Sequence, residues 1–117
     1  MGRKIYRSEK CRMSNSPVNF NGLDSTVHGP VRLGVLTSLQ IDGALDFTTL
    51  KKRLGVADGA LGLHLGKLVD IGYISCRKRF VGKRPKSTYS ISKKGRRALF
   101  DYLDAMQQVI DSAKTAE

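Results

Sequence analysis

From His28 onward the apolar positions fall into a helical rhythm. In HGPVRLGVLTSLQ, Val31, Val35, Leu36 and Leu39 recur at the spacing of one helix face. Pro30 suits the first turn, where its missing N–H costs nothing. IDGALD reads as a turn followed by a short extended piece. DFTTLKKRLG is helical again, with Phe47, Leu50 and Leu54 on one side and Gly55 ending it. In VADGALGLHLGKLVDIG, Leu61, Leu65 and Leu68 share a core-facing stripe, and Gly72 stops the helix. Ala57 cannot cap it, so Asp58 is the expected N-cap. The rhythm then changes to alternation. YISCRKRF and STYSIS read as strands, the second with Tyr89 and Ile91 on one face, joined by the turn VGKRPK with Gly82 and Pro85. KKGRRALFDYLDAMQQVIDSAKTAE closes the chain as a long helix. Its stripe of Leu99, Leu103, Met106, Ile110 and Ala113 is widened by Phe100, Tyr102 and Val109.

The predicted order is helix, short strand, helix, helix, strand, strand, helix. The expected fold class is mainly α with a small β-hairpin. Three helices followed by a two-stranded hairpin make a winged helix-turn-helix, its second and third helices joined by the Gly-containing turn GVAD. Residues 1–20 are polar, basic and aperiodic, and read as a flexible arm. The expected divisions are that arm, a winged domain over 21–97, and a C-terminal dimerisation helix over 98–117. The last helix is too apolar to stand alone on a surface. Leu99, Tyr102, Leu103, Met106, Val109 and Ile110 are therefore the expected dimer interface, assisted by residues 20–27.

Charge narrows the partner. The 117 residues carry 21 Lys and Arg against 10 Asp and Glu, a net charge of +11. Between Arg77 and Arg97 there are ten basic residues and no acid, Lys51, Lys52 and Arg53 form a second cluster, and the first twelve residues add more. Concentration of this kind favours a polyanion, and double-stranded DNA before a membrane, since the basic run lies in a strand pattern rather than on an amphipathic helix. No apolar run approaches the roughly 20 residues of a membrane span. The N-terminus lacks the apolar run of a secretory signal, so a cytoplasmic, nucleoid-associated location is expected. Cys11 and Cys76 are far apart and, with His28 and His64, show no metal-ligand spacing. No cofactor is expected. An enzyme is not expected either, because no nucleophile–base pair, carboxylate pair or phosphate loop appears.

VHGPVRLGVLTSL, DFTTLKKRLGVADGALGLHLGKLVDIGYI and FVGKRPKSTYSISKKGRRAL together resemble the winged-helix transcriptional regulators of the MarR/ArsR-like type. The resemblance covers about residues 23 to 113 and is most specific in the HL..L...GYI end of the third helix and in the wing pattern. It implies a homodimer that binds operator DNA, with helix 58–70 in the major groove and wing 79–87 on the backbone or in the minor groove. Two such helices lie about 34 Å apart.

The residues themselves divide the contacts. Lys83, Arg84 and Lys86 are phosphate candidates, Arg84 also for a narrow minor groove, with Pro85 stiffening the turn. Thr48 and Thr49, near a helix N-terminus, offer hydroxyls and N–H groups, and Lys51 and Lys52 offer charge. On the third helix Gly59, Ala60, Gly62, Leu63, His64 and Lys67 face outward or border that face. Where resembling proteins often carry polar residues at 60, 62, 63 and 66, this chain has Ala, Gly, Leu and Gly. Two readings stand. In one, the glycines let the backbone sit close to DNA while Ala60 and Leu63 meet thymine methyls. In the other, the helix has relaxed specificity and phosphates dominate. His64 reads either as a half-buried, hydrogen-bonded ring or as a DNA contact. Beside a regulator, an architectural DNA-binding protein of low selectivity and a protein-interaction winged helix remain open.

Overall fold

The computed structural model describes residues 23–116. The arm expected over 1–20, with Cys11, lies outside them. A compact unit spans Leu23–Leu103, and the chain from Asp104 forms a separate, helical one.

In the compact unit, α1 (Pro30–Asp42) begins on its proline and buries Val35, Leu36 and Leu39, while Val31 is half-buried. α2 (Phe47–Leu54) is capped by Asp46, whose carboxylate accepts the Thr49 N–H at 2.8 Å. Leu50 is its buried residue. α3 (Asp58–Ile71) buries Leu61, Leu65 and Leu68 as their spacing requires. The cap is not the expected one. Ala57 occupies the N-cap position with no side-chain bond, and Asp58 is already helical. Its carboxylate turns to the Lys51 ammonium at 2.8 Å, which places an acid in the helix's first turn and ties α3 to α2. Gly72, at φ 89, closes α3 with its N–H on the Leu68 and Val69 carbonyls.

Three antiparallel strands, β1 (Leu45–Asp46), β2 (Ile74–Val81) and β3 (Arg84–Ile91), are ordered β1-β3-β2. Two expectations change. The expected short strand joins the hairpin as a third strand, because Leu45 and Asp46 pair with Tyr89 and Thr88. The strands also run further than the predicted turn allowed: Val81 pairs with Arg84, leaving only Gly82 and Lys83 between them. Gly82, at φ 67, supplies the positive φ that a two-residue hairpin turn needs at its first position. Arg84, Pro85 and Lys86 are therefore strand residues. Pro85 is tolerated because β1 pairs only at Thr88 and Tyr89, so β3 has one neighbour at Pro85.

α4 (Lys93–Thr115) starts against the end of α3. The Ser92 hydroxyl accepts the Gly95 N–H at 3.0 Å and donates to the Gly72 carbonyl at 2.5 Å. Gly95 is buried against the Tyr73 backbone so closely that a Cβ there would lie 1.9 Å from the Tyr73 carbonyl oxygen. About one and two turns on, Leu99 and Tyr102 enter the domain's own core, at 1% and 2% exposure. This corrects their assignment to a dimer interface. The spacing that marked them as apolar is right, but both are already buried within the single chain. Val27, also expected to assist the interface, is fully buried in the same core.

Two polar braces close the domain. The Tyr73 hydroxyl donates to Asp24 at 2.6 Å, and the Tyr102 hydroxyl meets His28 Nδ1 at 2.8 Å. The Asp24 bond and burial push Tyr73 up to about 12. Burial works to raise Asp24, but the bonds from Tyr73, Thr26 and Val27 outweigh it and bring its carboxyl below the ordinary value.

Candidate nucleic-acid interface

The wing gathers its charge on one face. Alternate residues of a strand share a side, so Arg77, Arg79, Val81, Arg84, Lys86 and Thr88 lie together, with Arg79 opposite Lys86 and Val81 opposite Arg84. Sequence reasoning singled out Arg84 and Lys86 but passed over Arg77 and Arg79. The β2–β3 register adds them; counting by twos back from Arg84 lands on Lys78 instead, because the two-residue turn shifts the parity. Among the described residues no carboxylate pairs with Arg77, Arg79, Lys83 or Arg84. Lys86 does have a partner: its ammonium lies 3.2 Å from Asp46. Phe80 and Val81 leave the wing tip apolar and exposed.

Asp46 joins this face to the helix-turn-helix. It sits at the end of β1, caps α2 and pairs with Lys86. The Thr49 hydroxyl and amide, helped by Lys86 and opposed by burial, hold its carboxyl down to about 2. A cleft of about 560 Å³ opens beside it, lined by Phe47 and Thr48 from α2 and by Arg84, Pro85 and Lys86 from the wing. Thr48 and Lys52 are exposed on α2, as is the Thr49 side chain, but the Thr49 N–H expected to meet a phosphate is already taken by Asp46. Lys51 is likewise engaged, by Asp58.

On α3, Gly59, Ala60, Gly62, Leu63, Gly66 and Lys67 are all exposed, and Leu63 is 67% so. A Cβ added at any of the three glycines would meet nothing within 4 Å. His64 is half-buried, and its Nδ1 accepts from Arg32 Nε at 3.0 Å. The ring is thus held as the hydrogen-bonded reading expects, and it draws Arg32 of α1 to the edge of this face. That contact spans 32 residues, and no local pattern could have signalled it.

Along α4 the apolar stripe outlasts the core. Phe100 and Leu103 are exposed, and the expected interface residues Met106 and Val109 are half-buried, with Ile110 exposed. Among the described residues no His, Cys, Asp and Glu cluster could hold a metal, and no helix is long and apolar enough to cross a membrane.

Three helices whose second and third meet at a tight turn, followed by a basic hairpin and a long terminal helix, define a winged helix-turn-helix. The chain belongs to the family described as the winged helix DNA-binding domain, which matches residues 31–110. It is 33% identical over 79 residues to an uncharacterised protein of Methanocaldococcus jannaschii, covering 68% of this chain and 86% of that one. Among solved structures it is similar to a transcriptional regulator homologue from Pyrococcus horikoshii OT3, with a TM-score of 0.72 and 26% identity over 80% of this chain and 93% of that chain. It is also similar to Bacillus subtilis PadR in complex with operator DNA, with a TM-score of 0.51 and 28% identity over 60% of this chain and 45% of that one. The family and fold are those of DNA-binding transcriptional regulators rather than enzymes.

Proposed function

We propose that this chain is a dimeric DNA-binding transcriptional regulator whose wing supplies most of the affinity. The observation that carries this reading is the basic wing face, where Arg77, Arg79 and Arg84 lie on one side of a hairpin with no paired carboxylate among the described residues. DNA is the polyanion that the family description names. Lys52 and Thr48 extend the phosphate-facing surface on α2, and α3 enters the major groove through residues 59–67. Dimerisation rests on the exposed and half-buried apolar residues of α4, from Phe100 and Leu103 to Met106, Val109 and Ile110. The working division is a basic arm, a winged domain that takes in the first turns of α4, and a dimerising remainder of that helix.

Titration of a selected duplex and a random duplex at several salt concentrations tests the proposal. A regulator binds both, prefers the selected one, and loses affinity steeply as salt rises. A preference near one supports an architectural role instead, which the scarcity of hydrogen-bond donors on α3 favours. Failure to bind either duplex at low salt overturns the DNA reading.

A further inference from the structure

At about 100° per residue, with Gly59 at zero, the buried Leu61, Leu65 and Leu68 centre near 205°, so the outermost line of α3 lies near 25°. Gly59 and Gly66 lie to one side of that line, at about 0° and 340°, and Leu63 to the other at about 40°, while the exposed Asp70 falls on it at about 20° near the helix's C-terminal end. From Gly59 to Gly66 the result is a bare backbone ridge with one apolar knob. Packing does not demand the bareness, since added Cβ atoms at 59, 62 and 66 meet open space. Backbone geometry does not demand it either, because none of these glycines has a positive φ. Each weakens the helix relative to alanine. What glycine does provide is close approach of a backbone to a ligand.

The ligand's chemistry follows from what surrounds the ridge. Lys67 on α3 and Arg32, held on His64, put cations at its border, which selects a polyanion. Hydrogen-bond readout is sparse: Ala60 and Leu63 offer none, and His64 Nδ1 is occupied by Arg32. A single leucine between glycines is a small apolar feature, too small for a protein interface core but matched in size to a methyl group. On the base edges of the DNA major groove the one apolar group is the thymine C5-methyl. Resting on the DNA-binding reading above, we infer that α3 reads thymine methyl groups: the glycine ridge lets the helix settle deep in the groove, and Leu63, with Ala60 beside it, packs on the methyls.

Alternating d(A-T) and d(A-U) duplexes of equal length isolate this contact. They share phosphates, minor-groove groups and major-groove hydrogen-bonding atoms, and differ in the methyl alone. The full chain is expected to prefer d(A-T) by roughly fourfold for each methyl it buries. Leu63→Ala should lower that ratio toward one, the loss falling mainly on d(A-T), while helix content stays unchanged, as befits an exposed side chain. A ratio near one for the unaltered chain overturns the inference and leaves DNA binding standing. A preference that persists in Leu63→Ala overturns it too, since groove shape would then be responsible. Absence of binding to both duplexes at low salt removes the DNA-binding reading itself.

Discussion

The same substitution, glycine to alanine, should have opposite effects at two places in this domain. On α3, Gly62→Ala and Gly66→Ala add methyls to open space in regular helix. Each should stabilise by about 0.8–1 kcal/mol, the difference in helix propensity. The double variant should gain about 1.6–2 kcal/mol from propensity alone, the two methyls lying one turn apart on the same helix. For a domain of this size about 1 kcal/mol moves Tm by about 4–8 °C, so the double variant should melt about 6–16 °C higher. On α4, Gly95→Ala places a Cβ 1.9 Å from the Tyr73 carbonyl oxygen and 2.7 Å from its carbon, both backbone atoms. Reaching an ordinary separation of about 3.3 Å requires the helix to retreat by about 1.4 Å. That retreat strains the Ser92 N–H bond to the same carbonyl, now 3.0 Å long. Overpacking costs about 1–3 kcal/mol and the lost bond about 1, against a propensity gain of about 1, so a net loss of about 1–3 kcal/mol is expected. Thermal unfolding followed by circular dichroism decides it. A neutral Gly95→Ala, or a destabilised Gly62→Ala, would refute the packing described for these positions.

Asp46 gives an acid limb to stability. Its folded carboxyl sits at about 2 against about 3.9 in an unfolded chain, so its contribution is present above pH ~4 and is lost as pH falls toward 2. Asp46→Asn keeps a capping oxygen and should flatten that limb; denaturant titrations at pH 6 and pH 3 that show the same loss in both proteins would contradict the assignment. Tyr73→Phe leaves the ring in place but removes the donor to Asp24, and should cost about 1.5 kcal/mol or more in a urea titration at neutral pH. Met106→Glu places a charge in the α4 stripe and should yield monomers in sedimentation velocity, whereas an unaltered dimer would take this part of α4 out of the interface.

Much of this architecture is legible in the sequence because the apolar periodicity is strong and local. The 3.6-residue stripes of α1 to α4 and the alternation of β2 and β3 each follow from neighbours in the chain. What periodicity misses is set by distant contacts. The short strand at Leu45 and Asp46 was expected, but its place alongside β3 was not, and Pro85 reads as a turn until β3 is seen to lack a second neighbour there. Leu99 and Tyr102 show the same limit differently: spacing marks them as apolar but cannot say whether the cover is the domain or a second copy. At the candidate interface, the basic character of the wing was readable, and Lys83 and Arg84 with it. The engagement of Lys51 by Asp58, of Lys86 by Asp46 and of His64 by Arg32 was not, because each joins different elements.

The dependence of DNA affinity on salt, measured for the full chain and for the Lys83→Ala, Arg84→Ala double variant, bears most directly on the wing. If both side chains neutralise phosphates, removing them should shallow the slope of log K against log salt by about 1.8 per protomer, equally on selected and random duplexes. An unchanged slope, or a loss confined to one sequence, would contradict a wing that holds the DNA backbone.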